Sequence, residues 1–227
     1  MSSNFHSDGT LFIVSGPSGA GKTTLINAVR KQLEPINIKL YFSVSHTTRK
    51  PRHGEVEAKN YYFVSPEKFS SMVERGEFLE WAHVHEQRYG TSKAEVVARL
   101  EAGEDVILDI DYQGAKQIAE DGDLNDRKLN VFIFPPSLDV LEQRLRDRGL
   151  NSEREIETRL QKAIDEIDAA KGFYNYIIIN DNLTVATECL KAAIISKKLQ
   201  TKTALDSITR MAERFKEERD GRFARRR

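Results

Sequence analysis

Four short apolar runs recur along the chain: Leu11 to Val14, Asp105 to Ile110, Leu129 to Phe134 and Tyr176 to Ile179. Stretches with helical spacing of apolar positions separate them, the first over Thr24 to Leu33. Such alternation predicts a parallel sheet covered by helices on both faces. Ser92-Lys93-Ala94-Glu95 and Ser152-Glu153-Arg154-Glu155 have the capping-box pattern, and Gly103 and Gly149 fall where helices stop. Helices are therefore predicted near 92–102, 137–148 and 152–171. Between the first helix and Ser92 the pattern changes to short strand-like runs, Leu40 to Ser45, Tyr61 to Val64 and Phe78 to Trp81, with a helix that Ser65-Pro66 starts and Gly76 ends. This predicts an inserted lobe of mostly antiparallel sheet. A second, polar insertion spans Pro135 to Leu160 and carries Arg144, Arg146, Arg148, Arg154 and Arg159. It follows a strand end, where ligands of open α/β sheets bind. From Ala186 the chain reads as helical, and Leu205, Ile208, Met211 and Phe215 recur at helical spacing.

Composition narrows the classes. Thirty-five basic and 35 acidic side chains cancel, so no global field draws the protein to nucleic acid or to an anionic membrane. The single cysteine, Cys189, excludes an internal disulfide and a cysteine-rich metal site; beside Leu190 it reads as a buried apolar thiol. His46, His53, His83 and His85 do not have zinc spacing and read as polar or packing residues. No apolar run approaches the roughly 18 residues that span a bilayer, and Met1 to Thr10 is polar, so a cytoplasmic protein is expected.

The chemistry begins at Gly16-Pro17-Ser18-Gly19-Ala20-Gly21-Lys22-Thr23, a complete G-x-x-x-x-G-K-[ST] phosphate loop between a strand and a helix. Its glycines allow several backbone N–H groups to point at one polyphosphate, and the following helix adds the positive end of its dipole. Lys22 would bridge the β- and γ-phosphates, and Thr23 would offer a hydroxyl to Mg²⁺. In Ser45 to Glu55, two arginines, Arg49 and Arg52, sit in a loop held by Pro51 and Gly54, and Tyr61 follows. Guanidinium forks and a phenol suit a second phosphate, although a solvated basic loop has the same composition. Glu80 lies in the strand pattern Phe78-Leu79-Glu80-Trp81, and Asp109 and Asp111 close the run from Val106. An Asp at a strand end can hold Mg²⁺ through water, and a second carboxylate two residues on points the same way, which leaves the division of that role between Asp109 and Asp111 open. Ionised carboxylates accept and do not donate. Glu80 and Asp111 therefore suit the N1–H and 2-amino donors of guanine, whereas adenine presents an acceptor at N1. Taken singly, an edge-strand Glu and a helix-capping Asp explain the same residues.

Together these motifs, with Tyr89-Gly90-Thr91, Leu108 to Gly114, Arg144 to Gly149 and Asn180-Asp181, resemble bacterial guanylate kinase over roughly residues 9–200. The resemblance implies transfer of the γ-phosphoryl group of ATP to GMP, and to dGMP, giving ADP and GDP. It implies a phosphate-loop three-layer α/β core of parallel sheet (11–40, 92–134 and 161–200), an inserted mixed GMP-binding lobe (41–91) and a lid (135–160). Outside these lie a flexible N-terminus (1–10) and a charged helical extension (201–227).

By similarity, Gly16 to Thr24 and Asn180 bind ATP, with Asn180 near the adenine. Arg49, Arg52, Tyr61 and Tyr89 hold the GMP phosphate. Ser45, Glu80, Thr91 and Asp111 read the guanine. Lys22, Arg49, Arg144, Arg148 and Arg159 act on the transferring group, and Thr23 and Asp109, through water, serve Mg²⁺. ATP and GMP are the partners implied; no membrane or nucleic acid is, and the C-terminal helix offers a surface for a homo-oligomer. Two positions depart from the family pattern. Ala58 stands where a Gly is expected, which strains a turn that needs positive φ, and Thr91 replaces a Ser while keeping the hydroxyl. A guanylate-kinase-like protein-binding module without catalysis is the alternative, but such a module needs no complete ATP site.

Overall fold

Leu11 and Ile13 face one side of a strand and Phe12 and Val14 the other, and all four are fully buried. A strand apolar on both faces belongs in the middle of a covered sheet. The computed structural model describes residues 9–224 except 85, 148, 150, 151 and 171. Its strands, in chain order, are β1 (Leu11–Ser15), β2 (Leu40–Phe42), β3 (His46–Thr47), β4 (Tyr62–Phe63), β5 (Phe78–Val84), β6 (Gln87–Ser92), β7 (Asp105–Asp109), β8 (Lys128–Phe134) and β9 (Tyr176–Ile179). The helices are α1 (Lys22–Leu33), α2 (Pro66–Glu74), α3 (Lys93–Glu101), α4 (Tyr112–Glu120), α5 (Leu138–Asp147), α6 (Glu153–Ala169), α7 (Leu183–Lys198) and α8 (Thr201–Ala224).

The core sheet has the order β2-β7-β1-β8-β9, and every pairing in it is parallel. On one face Phe12, Val14, Val131 and Ile133 pack on Leu25, Ile26 and Val29 of α1 and on Leu190 and Ile194 of α7. On the other, Leu11, Ile13 and Leu108 pack on Val96 and Leu100 of α3 and on Ala115 and Ile118 of α4. These are the three layers that the alternation predicts. The smaller sheet, β4-β3-β6-β5, is mixed: β3 and β4 are parallel, and the other pairs are antiparallel. α5 and α6 form their own apolar seam from Leu141, Leu145, Ile156 and Ala163.

Local signals act as the sequence predicts, with instructive exceptions. Ser152 and Glu155 complete a reciprocal capping box at α6. Ser92 caps α3 through the Glu95 N–H, but the Glu95 carboxylate accepts the Tyr41 hydroxyl. The run 40–45, expected as one strand of the inserted lobe, divides. Leu40–Phe42 joins the core sheet beside β7, because Leu40 is buried and Phe42 packs against the same cluster as Leu33 and Ile107. Only from His46 does the chain enter the smaller sheet. Cys189 is exposed, not buried: it lies with Glu188 and Ala192 on the outer side of α7, away from Leu190 and Ile194. Ala58 adopts φ 59°, so the turn keeps its left-handed residue without glycine. Ile208, Met211 and Phe215 of α8 are exposed, while the side chains of Leu205 and of Arg222 to Arg227 lie outside the described residues. Among the described residues no helix is long and apolar enough to cross a membrane.

Candidate functional site

β1 delivers the chain to the phosphate loop at the carboxyl edge of the core sheet. Gly16, at φ 141°, turns so sharply that a Cβ there would stand 2.3 Å from the Ile133 carbonyl oxygen. Gly21 caps α1 at φ 89°, and a Cβ on it would meet Asn180 Nδ2 at 2.4 Å. The first turn of α1 carries no acidic side chain, so its free N–H groups and dipole are left for an anion. Lys22 Nζ donates to the carbonyls of Gly16 at 2.7 Å and Pro17 at 3.3 Å, and lies 3.9 Å from Asp109 Oδ1. Thr23 Oγ1 donates to Asp109 Oδ2 at 2.5 Å, and Thr24 is exposed beside it.

The arginines of the 135–160 segment separate by partner. Arg144 Nη2 donates to the Asn180 carbonyl at 2.9 Å, and its Nη1 is buried with no hydrogen-bond partner among the described residues. Arg159 Nη1 donates to Ser18 Oγ at 2.7 Å, which brings α6 onto the loop. Arg146 instead pairs with Glu142 at 2.7 Å and with Glu153 at the surface, and Arg154 is exposed. Arg148 lies outside the described residues, as does His85. Asn180 is buried, and its side-chain amide donates to the Ala20 carbonyl at 2.8 Å. The residue expected near adenine thus braces the loop and, through its backbone, Arg144.

A second group forms on the smaller sheet. Arg49 reaches Glu55 Oε1 at 2.7 Å and donates from Nε to the Tyr89 hydroxyl at 3.2 Å. Its guanidinium carbon lies 5.3 Å from the centre of the Tyr61 ring, which meets the Tyr89 ring edge-on at 5.7 Å. Glu55 holds Arg49 cationic and is itself shifted down from the usual carboxylate value, first by that hydrogen bond. Glu55 also accepts the Arg52 backbone N–H at 2.7 Å, closing the loop, while the Arg52 side chain is exposed. Sequence reasoning assigned Glu55 no role; its signal was an acid six residues after Arg49 in a loop rich in cations. Ser45 is half-buried, and its carbonyl accepts the Tyr62 N–H at 2.9 Å.

The third group lies between the sheets. Glu80 is 3% exposed, on the bulged start of β5, and accepts the Thr91 hydroxyl at 2.5 Å. Burial pushes its carboxyl up to about 7; the Asp111 charge pushes the same way and the Thr91 hydroxyl opposes it. Asp111 caps α4 by accepting the Gly114 N–H at 3.0 Å, and Lys162 Nζ lies 3.9 Å from its other oxygen. The two aspartates are therefore divided: Asp109 faces Lys22 and Thr23, and Asp111 faces α4 and Glu80. Among the described residues, the side chains of Arg52, Thr24 and Ser45 make no hydrogen bond or ion pair that ties them to these groups.

One carboxylate and one hydroxyl do not make a protein-built metal cage, and no group of three acidic, His or Cys residues among the described residues is placed to hold a metal ion. They fit a hard cation held mainly by phosphate oxygens and water.

Comparison with known proteins gives this geometry a context. A family model described as guanylate kinase matches residues 8–197. The guanylate kinase of Clostridioides difficile is 43% identical over 214 residues, covering 94% of this chain and 99% of that protein. The guanylate kinase of Blochmanniella floridana is 47% identical over 195 residues, 85% of this chain and 89% of that one. Among solved structures, guanylate kinase from Anaplasma phagocytophilum superposes with a TM-score of 0.69 at 28% identity, covering 87% of this chain and 90% of that one.

Proposed function

This chain belongs to the guanylate kinase family and is an ATP:GMP phosphotransferase, and we propose that the three side-chain groups divide that reaction between them. Gly16 to Thr24 receive the ATP phosphates. Lys22, already oriented by the Gly16 carbonyl, follows the γ-phosphoryl group as charge shifts to the bridging oxygen. Arg49, braced by Glu55 and Tyr89, holds the GMP phosphate with Arg52 and Tyr61. Arg144, Arg148 and Arg159 neutralise the equatorial oxygens from the segment that covers the loop. Thr23 and Asp109 would hold Mg²⁺, the latter through water; when bound, the ion neutralises charge on the β- and γ-phosphate oxygens. No protein nucleophile is required, since phosphoryl transfer depends on alignment and charge neutralisation.

The observation that carries the choice of GMP is the pair of acceptors formed by buried Glu80 and half-buried Asp111. A site built to receive two donors rejects a base that lacks them by roughly 10⁴ to 10⁵. Ser45 and Thr91 complete the base site, with the Thr91 hydroxyl fixing one Glu80 oxygen. The catalytic reading is favoured over a protein-binding module, because Lys22, Thr23, Asp109 and the arginines converge on one loop. The test is coupled ADP formation with ATP and Mg²⁺ against GMP, AMP, CMP, UMP and dTMP in parallel. Turnover confined to GMP is expected; comparable turnover with AMP would overturn the role given to Glu80 and Asp111.

A further inference from the structure

Gly114 lies in the first turn of α4 and has ordinary helical backbone, so helix propensity alone favours Ala there. Space does not. A Cβ on Gly114 would stand 2.2 Å from Glu80 Oε2, 2.8 Å from Cδ and 3.2 Å from Cγ, well inside any van der Waals contact. On its other side the same residue donates its N–H to Asp111 Oδ1 at 3.0 Å. One residue therefore touches both base-reading carboxylates, one through a missing side chain and one through its backbone.

The surrounding contacts keep this approach from relaxing. Gln117 Nε2 donates to the Trp81 carbonyl at 2.7 Å, and the Trp81 N–H donates back to Gln117 Oε1 at 3.1 Å. Gln113 Nε2 donates to the His83 carbonyl at 3.2 Å. α4 is thus tied to β5 at Trp81 and His83, just after Glu80, while Thr91 holds the far Glu80 oxygen from β6. An added methyl group cannot push the helix away without breaking several hydrogen bonds. The cheapest response is for the Glu80 carboxylate, the end of a flexible side chain, to leave its position.

We propose that Gly114 is a specificity-determining positioning residue, whose bare Cα sets where Glu80 meets the base while its N–H sets where Asp111 does. This rests on the reading of Glu80 and Asp111 as the guanine acceptors. It assigns to α4 a part in choosing the substrate, although Gly114 itself has no side chain to offer a ligand.

Four proteins test it: wild type, Gly114→Ala, Glu80→Ala and the double variant, each assayed for KM of GMP, KM of ATP and melting temperature. Gly114→Ala is expected to raise KM for GMP about ten- to a hundredfold, the loss of a hydrogen bond to a charged group, with KM for ATP unchanged. In the double variant the added Ala is expected to raise KM for GMP no further than Glu80→Ala alone, because the two substitutions remove the same contact. If Gly114→Ala fails to fold, the double variant should melt with Glu80→Ala, since the collision partner has gone. A double variant as unstable as Gly114→Ala, or a Gly114→Ala enzyme with normal KM for GMP, would overturn the proposal. Glu80→Ala raising both KM values equally would instead overturn the guanine reading beneath it.

Discussion

The side-chain amide of Asn180 donates to the Ala20 carbonyl at 2.8 Å, joining the end of β9 to the phosphate loop across 160 positions of sequence. The same residue's carbonyl accepts Arg144, so one buried asparagine registers the loop against α5. Asn180→Ala leaves a buried carbonyl without a donor, which costs about 1–3 kcal/mol of stability. It should lower kcat more than it raises KM for GMP. Chemical denaturation with steady-state kinetics on both substrates measures the two effects; a variant with normal stability and kcat would remove Asn180 from this role.

Lys22→Ala is expected to reduce kcat by about a hundredfold or more, the usual loss when one donor to developing charge is removed. Because its present partners are backbone carbonyls of the loop, the fold should survive. Single-turnover rates separate this from slow product release. Near-normal turnover would refute the assignment.

Glu80 gives the reaction a pH signature. Its carboxyl titrates at about 7 in the folded protein and near 4.5 when unfolded, so between those values the folded state holds a proton that the unfolded state lacks. Stability of the free protein therefore falls as pH rises from about 4.5 to about 7, by at most about 1.4 kcal/mol per pH unit from this group, and levels off above. Accepting from guanine needs the ionised form, so kcat/KM for GMP should rise towards pH 7 and then flatten, while KM for ATP shows no matching step. Both steps should vanish in Glu80→Gln, whose overall GMP use is also weakened. Parallel pH profiles and denaturation curves from pH 5 to 8 check this; identical profiles for wild type and variant would exclude Glu80 as the titrating group.

Ala58 holds φ 59°, a region that costs a non-glycine residue about 1–2 kcal/mol, and its N–H donates to the Tyr61 carbonyl at 2.9 Å. Ala58→Gly removes that strain but loosens the unfolded chain by about 0.4–1 kcal/mol, for a net gain of about 0.5 kcal/mol. Urea unfolding of the two proteins resolves a difference of this size. A destabilised glycine variant would show that the turn carries no strain.

What the sequence makes legible here is what short stretches of chain decide for themselves. The phosphate loop, the Ser65 and Ser152 caps and the doubly buried β1 each depend on neighbours within a few residues. Leu40–Phe42 shows the limit, because an apolar run reports burial and not which strand lies alongside; β7 was 65 residues away. Glu95 was read as half of a capping box, yet a distant Tyr41 hydroxyl claims it. Gln113 and Gln117 look like ordinary polar residues and Asn180 was placed near adenine by resemblance; only the tertiary fold shows the carbonyls that the three serve. The division between Asp109 and Asp111 was open for the same reason: strand period places them on one side, but Asp111 has already entered the cap of α4.

β5 is an outer strand of the smaller sheet, and such strands carry exposed backbone groups that invite another chain to pair. At Trp81 both of those groups are taken by the Gln117 carboxamide, and at His83 the carbonyl is taken by Gln113. The helix that helps select the substrate therefore also seals a sheet edge. Replacing Gln117 by an apolar residue would uncover a template for intermolecular strand addition, and the first symptom would be lost solubility during expression.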